Sequence, residues 1–321
     1  MTNIQNILII RHGALGDVCQ AFEAFASIRQ AFAHAHITLL TSSPYQALAV
    51  STPWFDAIAI DDRPPITHWR HWRNIRALLH KMDLVFDLQN SGRTSRYRTL
   101  APRTILWSGQ QKRASLPHHN PQARQMHTLC RQRDQLRSAN VPLQPRTIPT
   151  FLKDEGPFLT EPYVVLVPGA APHRPAKRWP LTYFADLAHT IAAWGYVPLI
   201  VGSATDAPLA AHICHHVPTA RDFTGKTTLP ALAGLLHRAL LCCGNDTGPL
   251  HMAAMMDCPT LTLFSAESDP RRCAPHGLTV GQNRVMQADT LAHIQPERVM
   301  TLLHDWGLPL MQARRAHYAK K

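Results

Sequence analysis

The sequence predicts an α/β protein made of two doubly wound domains that face a cleft. Short apolar runs rich in Ile, Val and Leu alternate with longer stretches of helical period, as in a parallel sheet with crossover helices. A stretch at 141–157 carries Pro142, Pro145, Pro149 and Pro157, too many for a helix or a central strand, and the same rhythm restarts beyond it. At 321 residues the chain has room for two domains of ordinary size, placed here at 1–150 and 151–321.

The elements follow in order. In the first half, strands are expected at 7–10, 37–41, 57–60, 84–88 and 104–107, with helices at 18–32 and 68–80 and a long polar helix at 121–140. The second half places strands at 163–167, 197–201, 240–243 and 260–264. Its helices fall at 181–194, 206–216, 229–238, 249–256 and 295–306, the last expected to pack back on the first half before a frayed basic tail at 319–321.

Composition removes several classes. Apolar residues make up 45% and charged ones 17%, so the chain buries a core, yet no run approaches the roughly twenty apolar residues of a membrane span. The start, MTNIQNILIIRHG, has no basic leader, and the seven cysteines form no CxxC pair; both suit a reducing cytoplasm. The net charge of +12 is uneven. Residues 63–153 hold 17 Lys and Arg against Asp83, Asp87 and Asp134, a local +14, leaving −2 for the remainder. Such asymmetry points to an anionic partner for the first half: nucleic acid, acidic lipid or a phosphorylated substrate. No nucleic-acid-binding motif accompanies the charge, which sets nucleic acid aside. Trp69, Trp72, Ile75 and Leu79 recur at helical spacing with Arg70, Arg73, Arg76 and Lys81 between them, a pattern suited to core packing on one side and an anionic membrane surface on the other.

Three segments carry candidate chemistry. Arg11-His12-Gly13-Ala14-Leu15-Gly16-Asp17 ends the first strand, and its glycines let the backbone turn where open α/β sheets place ligands. Asp17 has two readings, a cap on the following helix or a general base at the cleft mouth. A helix N-terminus favours the ionised carboxylate, so a base here takes its proton late, once the attacked centre is strongly electrophilic. Arg11-His12-Gly13 also resembles the start of histidine phosphatases, but the residues after it do not continue that pattern. Gly169 and Ala170, small residues after a strand, followed by Lys177 before a helix, form a phosphate cradle of backbone N–H groups and a point charge. Gly244-Asn245-Asp246-Thr247-Gly248-Pro249-Leu250-His251 opens another helix with groups able to hold sugar hydroxyls and pyrophosphate; His251 alone reads as a core histidine, and beside Asp246 and Thr247 as a ligand contact. His212 and His216 share a helix face, but no carboxylate joins them at helical spacing and no metal is expected. In the basic half, Arg93, Arg96 and Arg98 directly follow the strand at 84–88 and are expected near the cleft with Lys112 and Arg113.

Five pieces in one order make the chain recognisable: Arg11…Gly16-Asp17, Pro168-Gly169…Lys177-Arg178-Trp179-Pro180, Gly225-Lys226-Thr227-Thr228-Leu229, Asp246 to His251, and Asp269-Pro270-Arg271…Pro275-His276-Gly277. Over nearly its whole length the sequence resembles the heptosyltransferases of glycosyltransferase family 9, which build the inner core of bacterial lipopolysaccharide. The resemblance implies the GT-B fold, two Rossmann-like domains with acceptor in the first and donor in the second. It implies inverting transfer of heptose from ADP-L-glycero-β-D-manno-heptose to Kdo or heptose on lipid A, at the cytoplasmic face of the inner membrane, with no cofactor. Asp17 becomes the general base. Gly169, Ala170 and Lys177 hold the ADP phosphates, Thr227 lies against adenine, and Asp246, Thr247, Gly248 and His251 grip heptose and phosphate. Arg63, Arg93, Arg96, Lys112 and Arg113 meet the acidic acceptor. Another nucleotide sugar, or a basic binding protein without catalysis, are the alternatives. Glu23 stands where the family commonly has proline, and Ser265 where it often has glycine; both bear on acceptor identity, and Glu23 offers a second base or a polar cap.

Overall fold

The computed structural model describes residues 4–318; the tail expected at 319–321 lies outside them. The chain divides into two compact units between Thr147 and Ile148.

The first unit is a six-stranded parallel sheet of β1 (Asn6–Ile10), β2 (His36–Thr41), β3 (Ala57–Ile60), β4 (Leu84–Asp87), β5 (Leu106–Gly109) and β6 (Leu116–Pro117), in the order β3-β2-β1-β4-β5-β6. β1 is central, with Ile7 in register with Ile37 on one side and Leu84 on the other. Its apolar run is fully buried because helices cover both faces of such a sheet. The helix expected at 18–32 is two, Leu15–Gln20 and Phe22–Ala31. Arg11 Nε donates to the Asp17 carbonyl, the acceptor an unbroken helix would offer to Ala21, and the Ala21 N–H turns to Val18 O instead. The helix expected at 121–140 shortens to Thr128–Ser138: residues 120–126 coil into successive turns, and the His127 ring accepts the Leu129 N–H at the helix start. The strand expected at 104–107 lies two residues later, after a turn closed by Ile105 N–H on Pro102 O.

The second unit repeats the architecture with β7 (Tyr163–Val167), β8 (Val197–Ile200), β9 (Arg221–Asp222), β10 (Cys242–Asn245), β11 (Thr260–Phe264) and β12 (Asn283–Gln287), ordered β12-β11-β10-β7-β8-β9. Phe184, Leu187 and Ile191 of helix Leu181–Ala193 pack with Leu166, Leu241 and Leu263 in its core. The edge strands β9 and β12 carry little continuous apolar sequence, which is why periodicity passes over them. The final helix is longer than expected. Pro296–Leu302 runs through a π-helical turn, Leu303–Gly307, into Leu308–Tyr318; Pro309, lacking an N–H, follows that irregular turn. Arg314 ties this helix to the second unit, its Nε donating to Ala239 O at 2.8 Å and Nη1 to Asp257 O at 2.9 Å. No helix among the described residues is long and apolar enough to cross a membrane.

Candidate functional site

In each unit the strand order reverses beside one strand, and there the chain opens a crevice at the carboxyl ends. In the first unit the switch lies between β1 and β4. Asp17, third residue of its helix, accepts the Ala14 N–H at 3.1 Å, and its other oxygen lies 2.8 Å from Arg11 Nη2. Arg11 is buried and anchored to Leu88 O at 2.7 Å, whereas the Asp17 side chain remains 42% exposed. The cap and the exposed carboxylate therefore coexist in one residue. Gly13, at φ +123°, has no room for a side chain: a Cβ would meet the Tyr45 ring at 2.2 Å.

Beside Asp17 lies a buried network that the sequence reading did not single out. His12 Nε2 stands 2.7 Å from Asp61 Oδ2, and the Tyr97 hydroxyl donates to the same carboxylate. Arg93 Nε donates to the Tyr97 oxygen at 2.6 Å and Nη1 to Pro64 O at 2.9 Å, with Nη2 3.6 Å from Asp61 Oδ1. His71 Nε2 is 3.5 Å from that oxygen. Burial works against charge on Asp61, but hydrogen bonds from His12 and Tyr97 outweigh it and hold its carboxyl below the ordinary range. His12 is thus engaged by Asp61 rather than presented as a phosphoryl acceptor. The available signal was the Asp61-Asp62-Arg63 run directly after β3, a strand end where ligands and turns collect.

The basic residues separate. Arg63 donates its N–H to Asp61 Oδ1 at 2.8 Å in a left-handed conformation, and Arg93 joins the same carboxylate. The segment after β4 is helix Gly92–Leu100, started by Ser91, whose hydroxyl accepts the Thr94 N–H. It spreads its arginines apart: Arg96 is exposed, while Arg98 is buried over the Trp107 ring and donates to Arg113 O at 2.9 Å. Arg98 therefore does not join Arg93 in one exposed group. Lys112 and Arg113 are exposed in the loop after β5. Glu23 is no free base: Arg133 holds both its oxygens, at 2.5 and 2.9 Å, and Arg146 stands 3.8 Å away.

The second unit's switch point, between β7 and β10, gathers most of its expected site. Buried Asn245 ties the two loops together: its amide donates to Pro168 O at 2.8 Å and its oxygen accepts the Trp179 N–H at 3.0 Å. Trp179 is pinned through its indole N–H to Ile294 O at 2.7 Å. This frame sets Lys177 Nζ 2.5 Å from Asp246 Oδ2, with His251 Nε2 3.8 Å from the other oxygen. Burial pushes the Asp246 carboxyl up, and hydrogen bonds from His251 and Lys177 more than reverse this, holding it at about 2. Helix Gly248–Met255 starts immediately after Thr247; Pro249 has no N–H and the Leu250 N–H donates to Thr247 O at 3.1 Å, so it is the Gly248 N–H that the helix start brings beside this pair. Gly169 packs on Asp206, where a Cβ would stand 2.6 Å from the carboxylate; Ala170 is buried and its carbonyl accepts from Arg178. Thr227 lies two residues after Gly225, whose N–H donates to Gly202 O at 2.9 Å, in the segment between β9 and helix Leu229–Arg238. Ser265, directly after β11, is buried, its hydroxyl accepting the Glu267 N–H. His212 and His216 stack at 4.4 Å between ring centroids, and no group of three metal-ligating side chains occurs among the described residues.

A cation and a helix-start amide beside a buried carboxylate suit a sugar joined to phosphate: N–H and Lys for the oxyanions, carboxylate for hydroxyls. Comparisons with known proteins point the same way. Over 130 residues the chain is 32% identical to lipooligosaccharide heptosyltransferase 2 of Haemophilus influenzae, covering 39% of this chain and 37% of that protein. Against lipopolysaccharide heptosyltransferase 2 of Salmonella typhimurium it is 30% identical over 161 residues, 44% of this chain and 46% of the other. The matched stretch thus spans less than half the length of these two relatives. A longer alignment, 27% identical over 80% of this chain and 78% of the relative, is to lipopolysaccharide heptosyltransferase 1 of Pseudomonas aeruginosa. The fold matches that of Escherichia coli ADP-heptose lipopolysaccharide heptosyltransferase II with a TM-score of 0.74 at 20% identity, covering 97% of this chain and all of that one. A second E. coli heptosyltransferase, solved with ADP, matches with a TM-score of 0.76 at 18% identity over 94% of this chain and 99% of that one. The profile of glycosyltransferase family 9 (heptosyltransferase) matches residues 69–302, well over half of the chain, which therefore belongs to that family of enzymes.

Proposed function

We propose that this protein is an inverting heptosyltransferase that moves heptose from ADP-L-glycero-β-D-manno-heptose to Kdo or heptose of a lipopolysaccharide inner core, with Asp17 as general base. The observation that carries the reading is the buried Lys177–Asp246 pair, with His251 beside it, at a strand-order switch point where a helix begins. In this reading the second unit holds the donor and the first the acceptor. Lys177 and the N–H groups at Gly169, Ala170 and Gly248 take the diphosphate; Asp246, Thr247 and His251 take the sugar; Thr227 borders the adenine. As the acceptor oxygen bonds the anomeric carbon, its proton passes to the Asp17 carboxylate and the anomeric C–O bond breaks, its electron pair leaving on ADP. Lys177 and those N–H groups neutralise that leaving group, so the reading calls on no metal or further cofactor.

The partner is a membrane lipid, and the first unit supports docking on an anionic surface from the cytoplasmic side. Trp69 is 61% exposed and Ile66 56%, with Arg70 and Arg73 within 5.5 and 5.0 Å of the Trp69 ring. Such a mixture of bare apolar groups and cations suits the lipid headgroup layer. Nucleic acid has no part in this reading. Incubation of purified protein with ADP-heptose and a deacylated core acceptor, followed by mass spectrometry, tests it. Addition of one heptose by the wild type and none by Asp17→Ala is the expected result; transfer by Asp17→Ala near the wild-type rate removes the base assignment, and no transfer by either removes the function.

A further inference from the structure

The carboxyl ends of β1, β2 and β3 bring three segments together beside Asp17. Arg11, directly after β1, donates its N–H to Leu40 O of β2 at 3.0 Å, so the loop that leads to Asp17 starts against the end of that strand. The turn after β2 is fixed by the segment after β3. Ser42 Oγ donates to Asp61 O at 3.0 Å, and the Ser43 N–H donates to Asp62 Oδ1 at 2.7 Å while its hydroxyl donates to the other Asp62 oxygen. Tyr45 closes the turn with its own N–H on Ser42 O at 2.9 Å. Its ring lies over Gly13: a Cβ there would stand 2.8 Å from the ring carbon that bears the hydroxyl and 2.9 Å from the hydroxyl oxygen. Glycine at 13 is what lets the phenol come so close. Tyr45 is thus held half-buried, on a pinned turn, against the loop that carries Asp17.

The hydroxyl end of Tyr45 has both a place and a proton to give. The Leu15 N–H faces its oxygen, while Asp17 Oδ2 accepts the Ala14 N–H at 3.1 Å, so phenol and carboxylate stand on consecutive backbone N–H groups. Burial raises the phenol above its ordinary pKa, against the opposing pull of Arg63, and it keeps its proton at neutral pH. Asp17 already has a donor at each oxygen, the Ala14 N–H at one and Arg11 Nη2, 2.8 Å away, at the other. The carboxylate therefore makes no call on the Tyr45 proton, and no other acceptor takes it among the described residues. We infer that Tyr45 is a specificity-determining contact for the acceptor: its O–H donates to a hydroxyl of the sugar ring whose neighbouring hydroxyl is presented to Asp17. The inference rests on the transferase reading with Asp17 as base. A neutral, directional hydrogen bond of this kind selects by the position and configuration of the sugar's hydroxyls, not by its charge.

Tyr45→Phe keeps the ring over Gly13 and removes only the hydroxyl. Transfer from ADP-heptose to deacylated lipopolysaccharide core, followed by mass spectrometry with the full chain, should show the acceptor KM raised roughly three- to tenfold. The ADP-heptose KM and kcat should stay near wild type, the pattern of a contact made alike in ground and transition states. Because the contact is uncharged, the ratio of variant to wild type should hold as salt is raised. Titration of the same core without donor, by ligand-observed NMR, should show the same weakening. An acceptor KM equal to that of wild type overturns the inference. So does a fall in kcat at unchanged acceptor KM, which would make Tyr45 act through Asp17, and so does a joint rise of both KM values, which would make it part of the frame. If the wild type transfers nothing, the transferase reading falls and the NMR titration judges the contact by itself. Weaker binding by Tyr45→Phe then retains the sugar contact, and equal binding, or none by the wild type, overturns it.

Discussion

Lys177 and Asp246 meet 2.5 Å apart across 69 residues of sequence, and both side chains are largely withdrawn from water. The pair joins a short turn after β7 to the loop after β10, so the cation proposed for phosphate is pre-engaged by the carboxylate proposed for sugar. A buried charge left without its partner is costly, and each residue holds the other in place.

Acid should expose that dependence. Asp246 is held at about 2 in the folded chain, against an ordinary value of 3.8. A depressed carboxyl stabilises the fold above its unfolded value and loses that contribution as pH falls through the folded one. Its share, on the order of 2 kcal/mol, is thus present at neutral pH and disappears between about pH 4 and pH 2. Lys177→Met removes a principal cause of the depression. Denaturant unfolding at stepped pH should show a smaller loss for Lys177→Met than for wild type across that window, with lower stability at pH 7; equal slopes would mean the pair does not carry the shift.

Arg11 predicts a coupled effect on rate and stability. It donates to Leu88 O and Asp17 O and faces the Asp17 carboxylate, all from a buried position. Arg11→Met leaves the Leu88 carbonyl without that donor and lets Asp17 turn, so a stability loss of about 2–4 kcal/mol should accompany a fall in kcat. Asp17→Asn keeps the shape and loses the proposed base. Its kcat should fall by roughly 10²–10⁴, with KM little changed and at most a modest shift in the unfolding midpoint. Steady-state kinetics beside denaturant melts separate the two variants.

What could be read from sequence follows from what each feature depends on. The buried strands Tyr163–Val167 and Thr260–Phe264 declare themselves because both faces are covered and the apolar run is unbroken. β9 and β12 do not, being edge strands with polar or exposed residues. Asp246, Lys177 and His251 lie in compact motifs, so their meeting was legible. The Asp61 network was not, because its members His12, Asp61, His71, and Arg93 with Tyr97 come from four separate segments and only tertiary folding brings them together. The break at Ala21 likewise depends on a side chain ten residues upstream, Arg11, which helical propensity does not register.

That network yields its own test. The Tyr97 hydroxyl donates to Asp61 and accepts from Arg93 within the protein interior. Tyr97→Phe should cost about 1–3 kcal/mol at pH 7. Asp61 has a depressed carboxyl, so its contribution is present above the ordinary carboxylate value and lost as pH falls. Weakening the depression should move acid unfolding of the variant to higher pH, readable by circular dichroism along a pH titration. An unchanged acid midpoint would show that His12 and the surrounding donors suffice without the phenol.

The exposed Trp69 predicts a membrane phenotype separable from catalysis. It contributes apolar area at the surface, flanked by Arg70 and Arg73. Trp69→Ser with both arginines changed to Ser should weaken the partition constant for vesicles containing anionic phospholipid, read by co-sedimentation, roughly thirty-fold, at about 1 kcal/mol per lost cation. Rates on a deacylated, soluble acceptor should stay near wild type. Retained vesicle binding would move the lipid-facing surface elsewhere on the chain.

Glu23 provides the last test because it stands where the family commonly has proline. Its side chain is 5% exposed and both oxygens are taken by Arg133, which links helix Phe22–Ala31 to helix Thr128–Ser138. A carboxylate withdrawn from solvent and held by a guanidinium on both oxygens fastens those two helices. Glu23→Gln keeps the shape but loses one charge-assisted contact, and should lower stability by about 1–3 kcal/mol while leaving kcat within a few-fold. Arg133→Met should match it in denaturant melts, and the double variant should lose less than the sum of the single ones, since each already breaks the same pair. A kcat loss for Glu23→Gln as deep as that of Asp17→Asn would instead return Glu23 to the chemistry.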